Sequence, residues 1–206
     1  MSPHRTSRAL PGAELPGTAG EPEALGVARS APVLWADFAG QQAAWWWCVL
    51  FARDGHAAAA LVGPALYASA HVLARPGARS RVVALGSGGA LLGFLGDTLL
   101  VRAGLLSFTV PGAAPGHSPP FMVALWMMFA LSFSASSAPL SRQRPAALAG
   151  LSALAGPLAY LGGERLSLLS LTDGALAAVA LEWVLLVPLL VLGARRWILA
   201  SVEAGP

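Results

Sequence analysis

The sequence predicts an all-α, polytopic membrane protein built as a bundle of about six transmembrane helices, and three observations predict it. Of 206 residues, 56% are hydrophobic and only 11% charged, with a mean hydropathy of +0.64, more apolar surface than a soluble globule of this size can bury. The apolar residues gather into six runs of about the 17 to 25 residues that a bilayer core requires. All 13 basic residues are arginines, and they lie in the gaps between or beside those runs. A soluble helical bundle would need polar faces recurring every 3.6 residues, whereas these runs are apolar nearly all round.

Taken in order, residues 1–32 are rich in Pro, Gly, Ala and Glu without an apolar core, which predicts a disordered cytoplasmic tail. The runs are Val33 to Ala52, Ala57 to Ala74, Val82 to Val101, Phe121 to Ala138, Ala146 to Gly163 and Ala175 to Ala194. They define a membrane domain over 33–196, leaving a short cytoplasmic tail over 197–206. Ten arginines fall on one side of an alternating topology and three, Arg53, Arg102 and Arg165, on the other. That asymmetry predicts an even number of spans with both termini in the cytoplasm.

Glycines and prolines punctuate the runs. Gly86, Gly89, Gly93 and Gly96 recur along one face of the third, a stripe that lets another backbone approach closely. Gly156-Pro157 and Pro188 mark bends in the fifth and sixth, and Thr172 or Asp173 is expected to cap the sixth.

Ionisable residues within a bilayer are costly, so each one asks for an explanation. Three groups stand out. Asp97, Tyr160, Glu164 and Arg165, with Trp126 completing the set, form a candidate functional cluster near the external surface; the alternative is an ion pair pinning two helix ends. Gln42, beside Gln41, and Glu182 lie at similar depth and are expected to hydrogen-bond across the bundle, with Glu182 carrying its proton. Asp37 and His71, near the cytoplasmic face with Arg75, make an inner pair with a structural or a functional role.

Several chemistries are excluded. No phosphate-binding loop or Gly-x-Ser-x-Gly elbow occurs, and Gly86-Ser87-Gly88-Gly89 has no strand before it. The four histidines are scattered and Cys48 is the single cysteine, so no cofactor or metal is expected and no intramolecular disulfide can form. The arginines serve topology, which argues against nucleic acid despite a sequence pI near 10.0.

The stretches Gln42 with Trp45, Cys48, Val49 and Leu50; Asp97-Thr98-Leu99-Leu100 with Gly104-Leu105-Leu106; Leu125-Trp126 with Phe129-Ala130; and Gly156-Pro157-Leu158-Ala159-Tyr160-Leu161-Gly162-Gly163-Glu164-Arg165-Leu166 together resemble the domain of unknown function 2878 family. The likeness runs from about Phe38 to Arg196 and takes in Trp183 and Pro188. It implies a small multi-pass protein of the bacterial cytoplasmic membrane without an assigned activity, and it draws attention to Asp97, Tyr160, Glu164 and Arg165. The fourth run departs from the pattern, reading Ser134-Ala135-Ser136 where a histidine is expected near Ala135.

Three functions compete. The outer cluster binds or helps to modify a lipid or small amphiphile, with membrane lipids, a lipid-modifying enzyme or a second copy of the chain as partners. Alternatively, Gln42 and Glu182 serve a proton-coupled solute transporter, although the two halves share no convincing similarity. In the third, every polar residue serves packing and the protein is a non-catalytic scaffold.

Overall fold

Three helical hairpins follow one another in the computed structural model, which describes residues 31–111, 113–137, 139–140 and 143–203, with side chains as far as Arg196. The first pairs α1 (Ala31–Arg53) with α2 (Ala57–Ala60) and α3 (Val62–Leu73); the second pairs α4 (Arg79–Arg102) with α5 (Pro120–Ser132); the third pairs α6 (Pro145–Arg165) with α7 (Ala175–Glu203). Two three-residue strands, β1 (Leu106–Phe108) and β2 (Leu169–Leu171), are the only extended elements among the described residues, so the fold is an all-α bundle. The tail expected over 1–32 lies outside the described residues, save for Ala31 and Pro32, which open α1. Helix α7 continues to Glu203, into the stretch expected as a tail.

One device turns each hairpin. Helices α1, α4 and α6 end on Arg53, Arg102 and Arg165, and two residues later the backbone is left-handed, at Gly55 (φ 81°), Gly104 (φ 72°) and Ser167 (φ 59°). Two backbone bonds close each helix. Gly55 N donates to Ala52 O and His56 N to Phe51 O; Gly104 N to Val101 O and Leu105 N to Leu100 O; Ser167 N to Glu164 O and Leu168 N to Gly163 O. This is the Schellman motif, which satisfies carbonyls that a helix end otherwise orphans. All three turns lie at one end of the bundle, since Gly55 sits against Pro111 in the loop after β1.

The second and third hairpins repeat one another. After the arginine the chain reads Ala-Gly-Leu-Leu-Ser-Phe-Thr over 103–109 and Leu-Ser-Leu-Leu-Ser-Leu-Thr over 166–172. Strands β1 and β2 pair antiparallel about Ser107 and Ser170, 63 residues apart, whose hydroxyls meet at 2.7 Å. The flanking bonds are reciprocal. Thr109 donates its N–H to Leu168 O and its hydroxyl to Ser167 O, while Thr172 donates its N–H to Leu105 O and its hydroxyl to Gly104 O. Thr172 is therefore engaged in the sheet and does not cap α7 with its side chain. At the same 63-residue offset, Gly93 of α4 corresponds to Gly156 of α6; Trp126 covers the first and Trp183 the second.

Glycine decides the helix packing. A Cβ at Gly89 would overlap the Ala130 methyl and come within 2.9 Å of the Trp126 carbonyl, so α4 and α5 are backbone-close, as the stripe predicts. Helix α5 is the central element, with Phe121, Met122, Ala124, Trp126, Met128, Ala130 and Leu131 all buried. The exterior is apolar, with Trp35, Leu66, Leu99, Leu154, Leu158 and Leu181 at least 60% exposed, the surface of a membrane-type bundle.

Three helices are long and apolar enough to cross a membrane by length and composition: Pro76–Arg102, Pro145–Arg165 and Ala175–Arg196. The other expected spans differ for physical reasons. Helix α1 has 23 residues, but Asp37, Gln41, Gln42 and its tryptophans lower its hydropathy. The second run is interrupted at Leu61, between α2 and α3, just before Gly63-Pro64. The fourth stops at Ser132, giving α5 only 13 residues, and continues as turns through Ser137. A helix enclosed by its neighbours can end at depth, because protein groups rather than lipid meet its terminal carbonyls.

Candidate functional site

Asp97, near the end of α4, is fully enclosed, at 0% exposure. Its carboxylate accepts from Ser118 Oγ at 3.2 Å, Trp126 Nε1 at 3.1 Å and the Tyr160 hydroxyl. Local sequence sets each donor. Ser118 precedes Pro119-Pro120, which opens α5, and its own N–H donates to Thr98 Oγ1 at 3.1 Å. Trp126 reaches Asp97 because Gly93 leaves room for the indole against α4. Tyr160 occupies on α6 the position that Asp97 occupies on α4, so this bond joins equivalent sites of the two related hairpins.

The structure thus brings together Asp97, Trp126 and Tyr160 but separates Glu164 and Arg165 from them. Glu164 Oε1 accepts from Leu171 N at 2.9 Å and secures β2, and Arg165 is exposed. Arg102 donates to Gly116 O at 3.3 Å and to His117 Nε2 at 2.9 Å. A guanidinium only donates, so His117 carries its proton on Nδ1, which donates to Pro115 O at 3.0 Å. Neither Asp97 nor Glu164 forms an ion pair with Arg102 or Arg165 among the described residues.

The bond expected between Gln42 and Glu182 is also absent. Neither Glu182 oxygen has a hydrogen-bond partner among the described residues, and the carboxyl packs instead against Gly96, one residue before Asp97. Gln42 is partly buried on α1, while its neighbour Gln41 faces a cavity.

That cavity, of about 140 Å³, lies between α1 and α6, which barely touch. Trp45 and Val49 of α1, Leu125 and Phe129 of α5, Tyr160 of α6 and Trp183 of α7 give its character, with Leu168 and Leu169 at the turn end. Gln41 is a polar residue of the lining; Tyr160 and Trp126 direct their polar atoms to Asp97, and the Trp183 Nε1 is buried without a partner among the described residues.

At the opposite end, His71 Nε2 lies 2.8 Å from Asp37 Oδ1. Arg75 Nη1 stands 3.1 Å from His71 Nδ1 and can only donate, so that nitrogen offers its lone pair and Nε2 carries the proton toward Asp37. Asp37 also accepts from Ser136 N at 2.9 Å and from the Tyr67 hydroxyl at 3.3 Å, and Arg75 Nη2 donates to Ser134 O at 3.1 Å. This group satisfies the irregular backbone that follows α5. Ser134 Oγ is 3.5 Å from His71 Nδ1, but it donates to Leu131 O at 2.7 Å, so the serine is not activated.

Sequence reasoning missed Ser118, Thr98, Ser134, Ser136 and the cavity lining apart from Gln41, Trp126 and Tyr160. Ser118 had a signal, a hydroxyl directly before the Pro-Pro that starts a helix; Ser134 and Ser136 had none beyond their place in the departing segment. Among the described residues no group of three or more His, Cys, Asp or Glu side chains converges to hold a metal. No curated protein and no solved structure matches the chain. The model of a family described as protein of unknown function (DUF2878) matches residues 34–189, three quarters of the sequence, and the chain belongs to that family.

Proposed function

We propose that this protein binds a lipid or small amphiphile from within the membrane, in the cavity between α1 and α6, and presents it to the Asp97–Trp126–Tyr160 cluster. The observation that carries the reading is the cavity itself. Its volume is that of a space accepting a benzene-sized ring or a short length of chain. Its walls are apolar and aromatic, with few polar groups, as ligand sites are. The gap between two outward-facing helices gives an acyl chain or ring a lateral route from lipid.

In this reading the protein is a six-span protein of the bacterial cytoplasmic membrane with both termini in the cytoplasm. Arg53, Arg102 and Arg165 then mark the exported end, and the more numerous arginines the cytoplasmic one. A lipid-modifying enzyme or a second copy of the chain would complete the activity.

The test is native mass spectrometry of the wild-type protein and an Ala159→Phe variant. Ala159 stands exposed at the cavity mouth, so a phenyl ring blocks entry without invading the core. The wild type is expected to carry a bound amphiphile that the variant lacks. A wild type without adduct, or equal adducts on both, would count against the reading.

One observation favours a second reading, transport. The related hairpins place equivalent residues, Asp97 and Tyr160, at their shared interface, where repeat-built transporters hold substrate. Reconstituted vesicles that show no solute-coupled proton movement across a broad panel would remove it.

A further inference from the structure

We infer that the occupant of the cavity is a cationic amphiphile, a chain or ring bearing an amine, and not a phosphate-headed lipid; this rests on the cavity being the ligand site proposed above. Charge complementarity carries it. Among the described residues no basic side chain lines the cavity. The arginines closest in sequence to the cluster are directed elsewhere, Arg102 to Gly116 and His117 and Arg165 to the exterior. A phosphate would find no guanidinium there.

Two carboxyls stand directly behind the aromatic wall. Trp126 and Tyr160 line the cavity and donate to Asp97. Trp183 lines it too, and the preceding residue, Glu182, covers Gly96 as Trp126 covers Gly93, on one face of α4. Glu182 is only 8% exposed, yet neither oxygen has a hydrogen-bond partner among the described residues. A buried carboxyl without a hydrogen-bond partner is destabilising even when it holds its proton, and an amine nearby lets it pass that proton to the ligand and stand as the carboxylate partner of an ammonium.

The wall itself favours a cation. Trp126, Trp183 and Phe129 all line the cavity and pack together, with ring centroids 5.3 Å apart for Trp126 and Trp183 and 5.2 Å for Phe129 and Trp183, so its wall here is a continuous aromatic cluster. Aromatic faces attract ammonium groups, most strongly where water is excluded. A hydroxyl head could hydrogen-bond to Gln41 but would gain nothing from the aromatic rings or from the two carboxyls.

The test is photo-crosslinking of the full-length protein in nanodiscs of zwitterionic lipid. Three probes share one diazirine-bearing chain and differ only in head: primary amine, alcohol or phosphate. Sites are mapped by mass spectrometry, with Met122, Met128 and Ala159 reporting the cavity. The amine probe is expected to label these sites roughly tenfold more than either other probe, which corresponds to about 1.4 kcal/mol. Glu182→Gln is expected to lower the amine-to-alcohol ratio. On the wild type alone, unlabelled alkylamine displaces the amine probe and unlabelled alkyl phosphate does not. Equal labelling by all three heads, or a preference for phosphate, overturns the inference while leaving an amphiphile site. No cavity labelling by any probe overturns both.

Discussion

Asp97 accepts from three donors, so its replacement tests whether the cluster is built around a carboxylate. Asparagine of the same shape offers one acceptor oxygen and turns an amide toward the remaining donors. Asp97→Asn is expected to cost about 1–3 kcal/mol, the penalty of leaving a buried donor unpaired, read as a lower Tm of the detergent-solubilised protein. Tyr160→Phe removes one donor and leaves two, and is expected to cost less. Ser167 gives a second test. It holds φ at 59° where the related turn has Gly104. An L-residue pays for that conformation in steric strain, so Ser167→Gly is expected to stabilise by up to about 1 kcal/mol, and Gly104→Ala to destabilise by a similar amount.

At the scale of the element, glycine positions decide which helices approach. A Cβ at Gly156 would run into the Trp183 indole, whereas one at Gly150, on the same helix, meets nothing within 4 Å. Gly156→Ala is therefore expected to loosen the third hairpin and lower Tm by several degrees, and Gly150→Ala to leave it unchanged or raise it slightly. The helices were legible because apolar runs are long; their ends were not. Helix α5 stops at Ser132 because Asp37, Arg75 and the local hydroxyls satisfy the backbone that follows, partners drawn from distant parts of the chain. The strands were illegible for another reason. Leu106–Phe108 and Leu169–Leu171 are three residues each, too short for alternation to be seen against the flanking leucines. The repeat that contains them escaped notice because lipid-facing positions accept almost any apolar residue. Only the turn residues, the glycine notches and the tryptophans keep the likeness.

For the whole molecule, Asp97, Tyr160 and Trp126 were recoverable from sequence, since helix spacing and depth place them near one another. Glu164 and Arg165 were not separable from them, because a helix end at Arg165 and the following strand redirect both side chains. The pairing of β1 with β2 offers a test of architecture and orientation together. With Ser107 Oγ and Ser170 Oγ at 2.7 Å, the double variant Ser107→Cys/Ser170→Cys is expected to form a disulfide in intact cells if the turn end faces an oxidising exterior. A shift in non-reducing gel mobility reads it. A pair that stays reduced in cells yet oxidises after purification would keep the sheet and reverse the orientation. Cys48, buried against the Phe121 carbonyl, is expected not to interfere.

The reciprocal bonds between the two strands also bear on biogenesis. Each hairpin closes its own turn locally, so it can enter a bilayer as a unit while the ribosome is still at work. Strand β1, however, completes its pairing only after residues 169–171 have been synthesised. Until then the backbone groups of 106–108 that face β2 lack that partner. A chain arrested or truncated after the second hairpin would offer the same edge to another chain arrested at the same point, and because β1 and β2 are near copies, the two could pair with each other as the repeats do within one molecule.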